Sequence, residues 1–219
     1  MNTESAYGET EARSYDDDRR VERHWEREHD YVRVLLGHTA PARLLDAPVG
    51  TGRFFPLYAR IRTVAGIDLS ESMLAQSRRR AGTSELSRLL LARGSVTQLP
   101  FADGAFELTL CCRLLHLLPP ELLAPAFREL ARVTAGRVCV QAYVRGSLWL
   151  RARGRMQREL GRFDGARKRE QPWAHIQAYS HSEASFHQAA VAAGLRLLQA
   201  TELDRYYGTR VVMFLWQTS

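Results

Sequence analysis

Apolar positions first recur along the chain with a helical period. Tyr15, Val21, Trp25, Tyr31, Val32, Leu35 and Leu36 roughly share one face of residues 14–36 and charges fill the rest, which predicts an amphipathic helix. Gly37 stops it, and Pro41 follows at the distance expected after a C-cap. A short apolar strand at 43–47 leads into the turn Pro48-Val-Gly-Thr-Gly52, after which helix and strand alternate. Helices are predicted at 53–60, 71–81 and 119–134, and strands at 63–67, 89–93, 107–111 and 137–144. Ser70 is placed to cap the second of these helices, with Met73 and Leu74 on its inner side. Strands that are nearly all apolar and alternate with helices indicate a parallel sheet covered on both faces. A last helix at 182–193 ends at Gly194, and strands at 195–203 and 210–217 follow, joined by a turn at Tyr207-Gly208. Two strands so close in sequence must be antiparallel, because a parallel crossover needs about a dozen residues.

The length of 219 residues suits one α/β domain, with residues 1–40 as a helical cap and 145–179 as a lid. Hydrophobic residues at 45% and charged residues at 25% exclude a disordered chain. No apolar run approaches the roughly 20 residues of a membrane helix, and the polar, acidic N-terminus does not read as a secretory signal. Cys111, Cys112 and Cys139 offer neither a disulfide framework nor metal-ligand spacing, so no metal is expected and a cytoplasmic location is. Oligomeric state is open between monomer and homodimer. Of the 31 basic residues only Lys168 is a lysine, a bias that a GC-rich genome explains. Their placement says more. Between Arg145 and Glu170 nine basic residues face three acidic ones, so nearly all of the net charge of +7 lies in one segment.

The densest chemical signal is Leu44-Leu-Asp-Ala-Pro-Val-Gly-Thr-Gly-Arg-Phe-Phe55, where a strand ends at Asp46, Gly50 and Gly52 make a tight turn, and a helix is expected at once. Such glycines admit a ligand close to the backbone, and a helix start offers free N–H groups. Asp68 ends the second strand, 18 residues beyond Gly50. A carboxylate there can accept both hydroxyls of a ribose lying across the switch point of the sheet; the alternative is an ordinary turn or capping residue.

These residues resemble class I S-adenosylmethionine (SAM)-dependent methyltransferases of the small, methyltransferase-domain-11 type. The first segment is similar to that family's LDxGxGxG motif, and Gly66-Ile-Asp-Leu-Ser-Glu-Ser-Met-Leu74 to its second motif. Residues 94–118 are similar to its LPF…LHHL stretch, and the likeness runs almost unbroken from Leu44 to Tyr143. The resemblance implies a Rossmann-like, seven-stranded, mostly parallel sheet with an antiparallel last strand and helices on both faces. It implies SAM as cofactor and S-adenosylhomocysteine (SAH) as product. Asp46, Ala47, Gly50 and Gly52 would line the methionine and ribose part, Asp68 would bind the ribose, and Leu69 and Met73 would lie against adenine. Ser95 and Val96 would flank the base, while Cys112 and Arg113 would face the sulfonium and amino-acid end. Tyr15 and Arg20 of the N-terminal helix are candidates to close over the cofactor. Two positions depart from the family: Pro48 replaces the first glycine, and Ser95 replaces the acid that in many relatives holds the adenine amino group.

Methyl transfer from a sulfonium mainly needs alignment and exclusion of water, with a base only where the acceptor must lose a proton. His116, after the fourth strand, is the first choice of base, against the alternative of a capping histidine; Tyr143, ending the fifth, is the second. Cys111 reads as strand packing, and neither a Pro-Cys nor an (N/D/S)PP(Y/F) apparatus for nucleic-acid bases is present. Arg151, Arg155, Trp173 and His175 of the basic lid would meet the acceptor. Arginines and aromatics together suit a flat anionic molecule, follow a nucleic-acid backbone, or form a merely solvated helix. The favoured expectation is a bacterial enzyme methylating oxygen or nitrogen of a small, anionic or aromatic metabolite in specialised metabolism. Alternatives are an RNA or peptide-terminus methyltransferase, and a non-catalytic SAM-fold binding module.

Overall fold

A computed structural model describes residues 8–145, 179, 181–206 and 209–219. Seven strands form one sheet: β1 (Arg43–Asp46), β2 (Thr63–Asp68), β3 (Leu89–Arg93), β4 (Phe106–Cys111), β5 (Thr134–Arg145), β6 (Leu195–Tyr206) and β7 (Thr209–Thr218). Their order is β3-β2-β1-β4-β5-β7-β6. Pairs among β1 to β5 are parallel, and β7 runs antiparallel to both neighbours, as expected from the chain. Helices are α1 (Glu9–Arg20), α2 (Trp25–Thr39), α3 (Glu71–Ala81), α4 (Pro120–Arg132) and α5 (Glu183–Ala192).

The inner strands β1, β2, β4 and β7 are largely apolar because both faces of the sheet are buried there, whereas the outer strands β3 and β6 are more exposed. Along β7, Val212, Phe214 and Trp216 pack with α4 and α5, whereas Val211, Met213 and Leu215 pack with α2 and the Phe54–Tyr58 turn. Period-two alternation thus sorts apolar residues between two cores rather than between core and water. Ser70 caps α3 by accepting the Met73 N–H at 3.3 Å.

Three expectations are corrected. The helix expected at 14–36 is two helices, interrupted at residues 21–24, which leaves Val21 68% exposed. No glycine or proline breaks it; instead Glu22 and His24 turn inward to partners on β5 and beyond β4. Gly37 does not stop α2, which runs to Thr39 and ends at Ala40 in a left-handed conformation before Pro41. The helix expected at 53–60 is only a 3-10 turn at Phe55–Leu57. Phe55 and Tyr58 are fully buried there, and Pro56 lacks an N–H, so core packing sets this segment rather than helix propensity.

Parallel strands put the carboxyl ends of β1, β2 and β4 side by side at the switch point, where the chain turns away to either side. The loop after β1 is held from several sides. Ala47 N–H donates to Leu110 O at 2.9 Å, Val49 N–H to Ile67 O at 2.9 Å, and Ser77 Oγ to Gly50 O at 2.6 Å. Gly52 is required at its position: φ is +73°, and a Cβ would lie 2.5 Å from the Phe55 ring. Gly52→Ala is expected to lower stability by about 1–3 kcal/mol through backbone strain, read as a lower midpoint with unchanged slope in urea unfolding.

Candidate functional site

The switch point opens into a cavity of about 980 Å³, its mouth included. Its walls are residues 47–51 after β1, 67–70 at the end of β2, 94–96 after β3 and 112–114 after β4. Tyr15 of α1 and Met73 of α3 close another side, and both pack with Ala12. Helix α1 is tied down there by Asp16, whose carboxylate accepts the Thr51 hydroxyl at 2.8 Å and pairs with Arg80 of α3.

Asp68 stands in the wall with its carboxylate oriented by backbone. One oxygen accepts the Gly50 N–H at 3.0 Å and the other the Ser70 N–H at 2.9 Å. Burial pushes its pKa up to about 6, and the amides of Ser70, Gly50 and Leu69 restrain the rise. A carboxylate offers about four lone-pair sites, so Asp68 keeps acceptor capacity beyond these backbone bonds. Asp46 lies behind Ala47 and is fully enclosed. Its Oδ2 accepts the Tyr58 hydroxyl at 2.8 Å, while its buried Oδ1 has no partner among the described residues. Burial pushes its pKa up to about 7.

Arg113 leaves β4 with φ of +60° and is buried. Its N–H donates to Gln141 Oε1 at 2.8 Å, and its guanidinium grips Glu28 at 3.0 and 3.1 Å and Glu22 at 2.7 Å. Glu28 is completely buried and also takes Arg53 and the Gln141 amide. Burial would raise the Glu28 carboxyl, but Arg53 and Arg113 outweigh it and hold it below its ordinary value. Trp25 lies under both guanidiniums, whose carbons are 4.4 and 5.1 Å from its ring centre. Beside this network His24 Nε2 is 2.8 Å from Tyr143 Oη, and His24 Nδ1 is 3.6 Å from Asp204.

The cavity therefore gathers Tyr15, Ala47, Gly50, Asp68, Leu69, Met73, Ser95, Val96, Cys112 and Arg113 from the sequence-based set. Asp46 and Gly52 support its walls from behind. Arg20 stays outside, exposed on α1 within 4.0 Å of Asp17. His116 and Tyr143 stand together, ring centres 4.4 Å apart, and are not among the residues lining the cavity. Burial, then Arg113, pushes His116 down to about 3. Ser95 Oγ is engaged with Thr97, at 2.8 Å from its hydroxyl. Arg151, Arg155, Trp173 and His175 lie outside the described residues. Among the described residues no cluster of three or more acidic, His or Cys side chains could hold a metal, and no helix is long and apolar enough to cross a membrane.

Sequence reasoning missed Glu28, Arg53, Gln141, His24 and Asp204. Only Gln141 carried a signal, as the amide interrupting the apolar run from Val138 to Val144.

Residues 44–136 match the family model described as a methyltransferase domain. The chain is 36% identical over 114 residues to malonyl-[acyl-carrier protein] O-methyltransferase of Legionella pneumophila, covering 50% of this chain and 38% of that protein. It is 30% identical over 124 residues to phosphatidylethanolamine N-methyltransferase of Cereibacter sphaeroides, covering 56% and 60%. The chain thus spans less than two thirds of either curated relative. Its fold is similar to that of magnesium protoporphyrin IX methyltransferase from Synechocystis PCC 6803, crystallised with SAH, at a TM-score of 0.70 and 19% identity over 98% of this chain and 92% of that one.

The Arg113–Glu28 pair generates a stability prediction. Arg113→Leu leaves a fully buried carboxylate short of its bidentate partner and should cost about 3–5 kcal/mol in urea unfolding.

Proposed function

From the match of residues 44–136 to a methyltransferase domain, we propose that the chain is a class I SAM-dependent methyltransferase that binds SAM in the switch-point cavity and methylates oxygen or nitrogen of a small anionic or aromatic metabolite. The observation that carries this reading is Asp68, fixed by the Gly50 and Ser70 amides in a wall shared with the glycine turn. The residues present fit the cofactor. Asp68 has acceptor capacity left for a ribose diol, and Ile67, Leu69, Met73 and Val96 give an apolar bed for a flat base. The unpaired, buried oxygen of Asp46 suits a nearby ammonium group, directly or through water.

When bound, SAM supplies a methyl group on a sulfonium that leaves readily. The chain's residues then need to hold the acceptor in line and keep water out. Tyr15 and α1 cover the cavity, and Asp16 holds that cover against the glycine loop. We assign His116 and Tyr143 to the acceptor end, beyond Arg113. His116 is neutral throughout the physiological range and so contributes a ring wall and an uncharged imidazole rather than a held proton. The relatives' names support both acceptor atoms: oxygen for the malonyl-carrier enzyme and nitrogen for the phosphatidylethanolamine enzyme. A bacterial cytoplasmic enzyme of specialised metabolism, with the basic 145–179 segment as its acceptor lid, is the setting we propose.

Calorimetric titration with SAH tests the cofactor, using a nicotinamide dinucleotide as control; binding of the dinucleotide alone would overturn the reading. Asp68→Ala should weaken SAH binding by about 1.5–3 kcal/mol, the scale of hydrogen bonds to a charged group. The affinity should also depend on pH. Above about 6 the Asp68 carboxyl is ionised and accepts with both oxygens, and below it a proton blocks one of them. Between pH 7.5 and 5 SAH binding is expected to weaken roughly tenfold, and Asp68→Asn should flatten that dependence.

A further inference from the structure

The walls of the cavity follow the order of the strands that end in them. Residues 94–96 leave β3, 67–70 close β2, 47–51 with Arg53 and Phe54 leave β1, and 112–114 leave β4. Those strands lie side by side as β3-β2-β1-β4, and three spacings of about 4.8 Å make the row about 14 Å long. Its chemistry changes from end to end. Ile67, Leu69 and Val96 make one end apolar, Asp68 and the Gly50 amide stand in the middle, and Arg53 and Arg113 make the β1–β4 end cationic. A nucleoside with its ribose at Asp68 and its base on the apolar bed therefore sends its remaining arm toward the two arginines.

The two guanidiniums differ in what they have left to offer. Arg113 gives Nε and Nη2 to Glu28 and Nη1 to Glu22, so each of its nitrogens already donates. Arg53 makes one hydrogen bond among the described residues, from Nη2 to Glu28. A guanidinium carries five N–H donors, so Nε and Nη1 of Arg53 have no acceptor there. Its carbon lies 4.1 Å from the Phe54 ring centre and 4.4 Å from that of Trp25. Those rings attract the cation without taking up its in-plane donors. Asp46, the other acid near Arg53, does not use them either: one oxygen accepts the Tyr58 hydroxyl and the other has no partner among the described residues. In the ion-pair network itself three guanidiniums, of Arg19, Arg53 and Arg113, share the two carboxylates of Glu22 and Glu28.

Resting on the proposed SAM site, we infer that Arg53 binds the carboxylate of the cofactor's amino-acid tail and makes the cavity select nucleosides that carry one. A carboxylate on the unused edge of Arg53 forms charge-assisted hydrogen bonds and gives the network a third anion for its third cation. The tail bears an ammonium on the carbon next to that carboxylate. The exit of β1 brings the complementary pair, the unpartnered Asp46 oxygen and the Arg53 guanidinium. Arg53 is thus a specificity residue, and Trp25, Phe54 and Glu28 fix its place.

Calorimetry on the full chain with two ligands tests this: SAH, and S-adenosyl-3-thiopropylamine, which is SAH with hydrogen in place of the carboxylate. The wild type is expected to bind SAH about 10- to 100-fold tighter than the amine, the scale of hydrogen bonds between charged groups. Arg53→Gln should remove most of that ratio by weakening SAH while leaving the amine within about twofold. A merely structural role would weaken both ligands alike, and that outcome overturns the inference. Should Arg53→Gln fail to fold, Arg53→Lys carries the test. Lysine keeps a charge for Glu28 but lacks the fork that reaches a second carboxylate at the same time, so the ratio should again fall. An unchanged ratio in the folded variant overturns the inference. In the wild type, SAH and the amine binding equally sinks the carboxylate contact and keeps the cofactor; binding of neither sinks the function on which the contact rests.

Discussion

One carboxylate, Glu28, sets how the N-terminal helices meet the sheet. Alone and fully buried, it would carry a desolvation cost of several kcal/mol. Its partners come from three places: Arg53 from the exit of the glycine turn, Arg113 from the exit of β4, and Gln141 from within β5. Each is satisfied only if α2 lies at one height and rotation against the sheet end. Arg113 adopts a left-handed backbone that an L-residue enters at a cost of about 1–3 kcal/mol, and the Gln141 oxygen on its N–H fixes it there. Because Arg113 is also part of the cavity wall, the shape of the cavity follows from the satisfaction of a buried charge 85 residues away.

A second polar contact completes the enclosure. Asp16 joins α1 to Thr51 and to Arg80, so the cover of the cavity, its glycine floor and α3 are tied at one point. The break at residues 21–24 lets α1 and α2 satisfy these separate demands, which a single straight helix could not meet. Glu22 and His24 sit in that break and turn their side chains toward Arg113 and Tyr143. The interruption is the consequence of those long-range pairs rather than of any local helix breaker.

What the chain discloses by itself follows from this division. Strands buried on both faces must be apolar throughout, so β1, β2, β4, β5 and β7 stand out in the pattern of residues. The glycine turn and Asp68 were legible because a sharp turn after a strand restricts residue type locally. The helix expected at 53–60 failed because Phe55 and Tyr58 serve the core and Pro56 removes a donor, a tertiary demand that overrides periodicity. Glu28, His24 and Asp204 were invisible for a different reason. On an amphipathic helix or an outer strand a charged residue reads as solvated, and only the fold shows that it is sealed.

The electrostatics of the site then pull in opposite directions. Asp68 and Asp46 are raised to about 6 and about 7, so between the ordinary carboxylate value and those points the folded chain binds more protons than the unfolded one. Stability from these two groups falls as pH rises through that window. His116 is lowered to about 3, so between there and the ordinary imidazole value the unfolded chain binds more protons, and its contribution rises with pH. The two trends oppose each other over much the same range, and near neutral pH the fold holds carboxylates that burial disfavours as anions. A ligand that brings hydroxyl donors to Asp68 and positive charge toward Asp46 relieves that disfavour directly. Such a ligand is favoured by groups that the fold alone leaves poorly satisfied, which is the electrostatic form of a preorganised site.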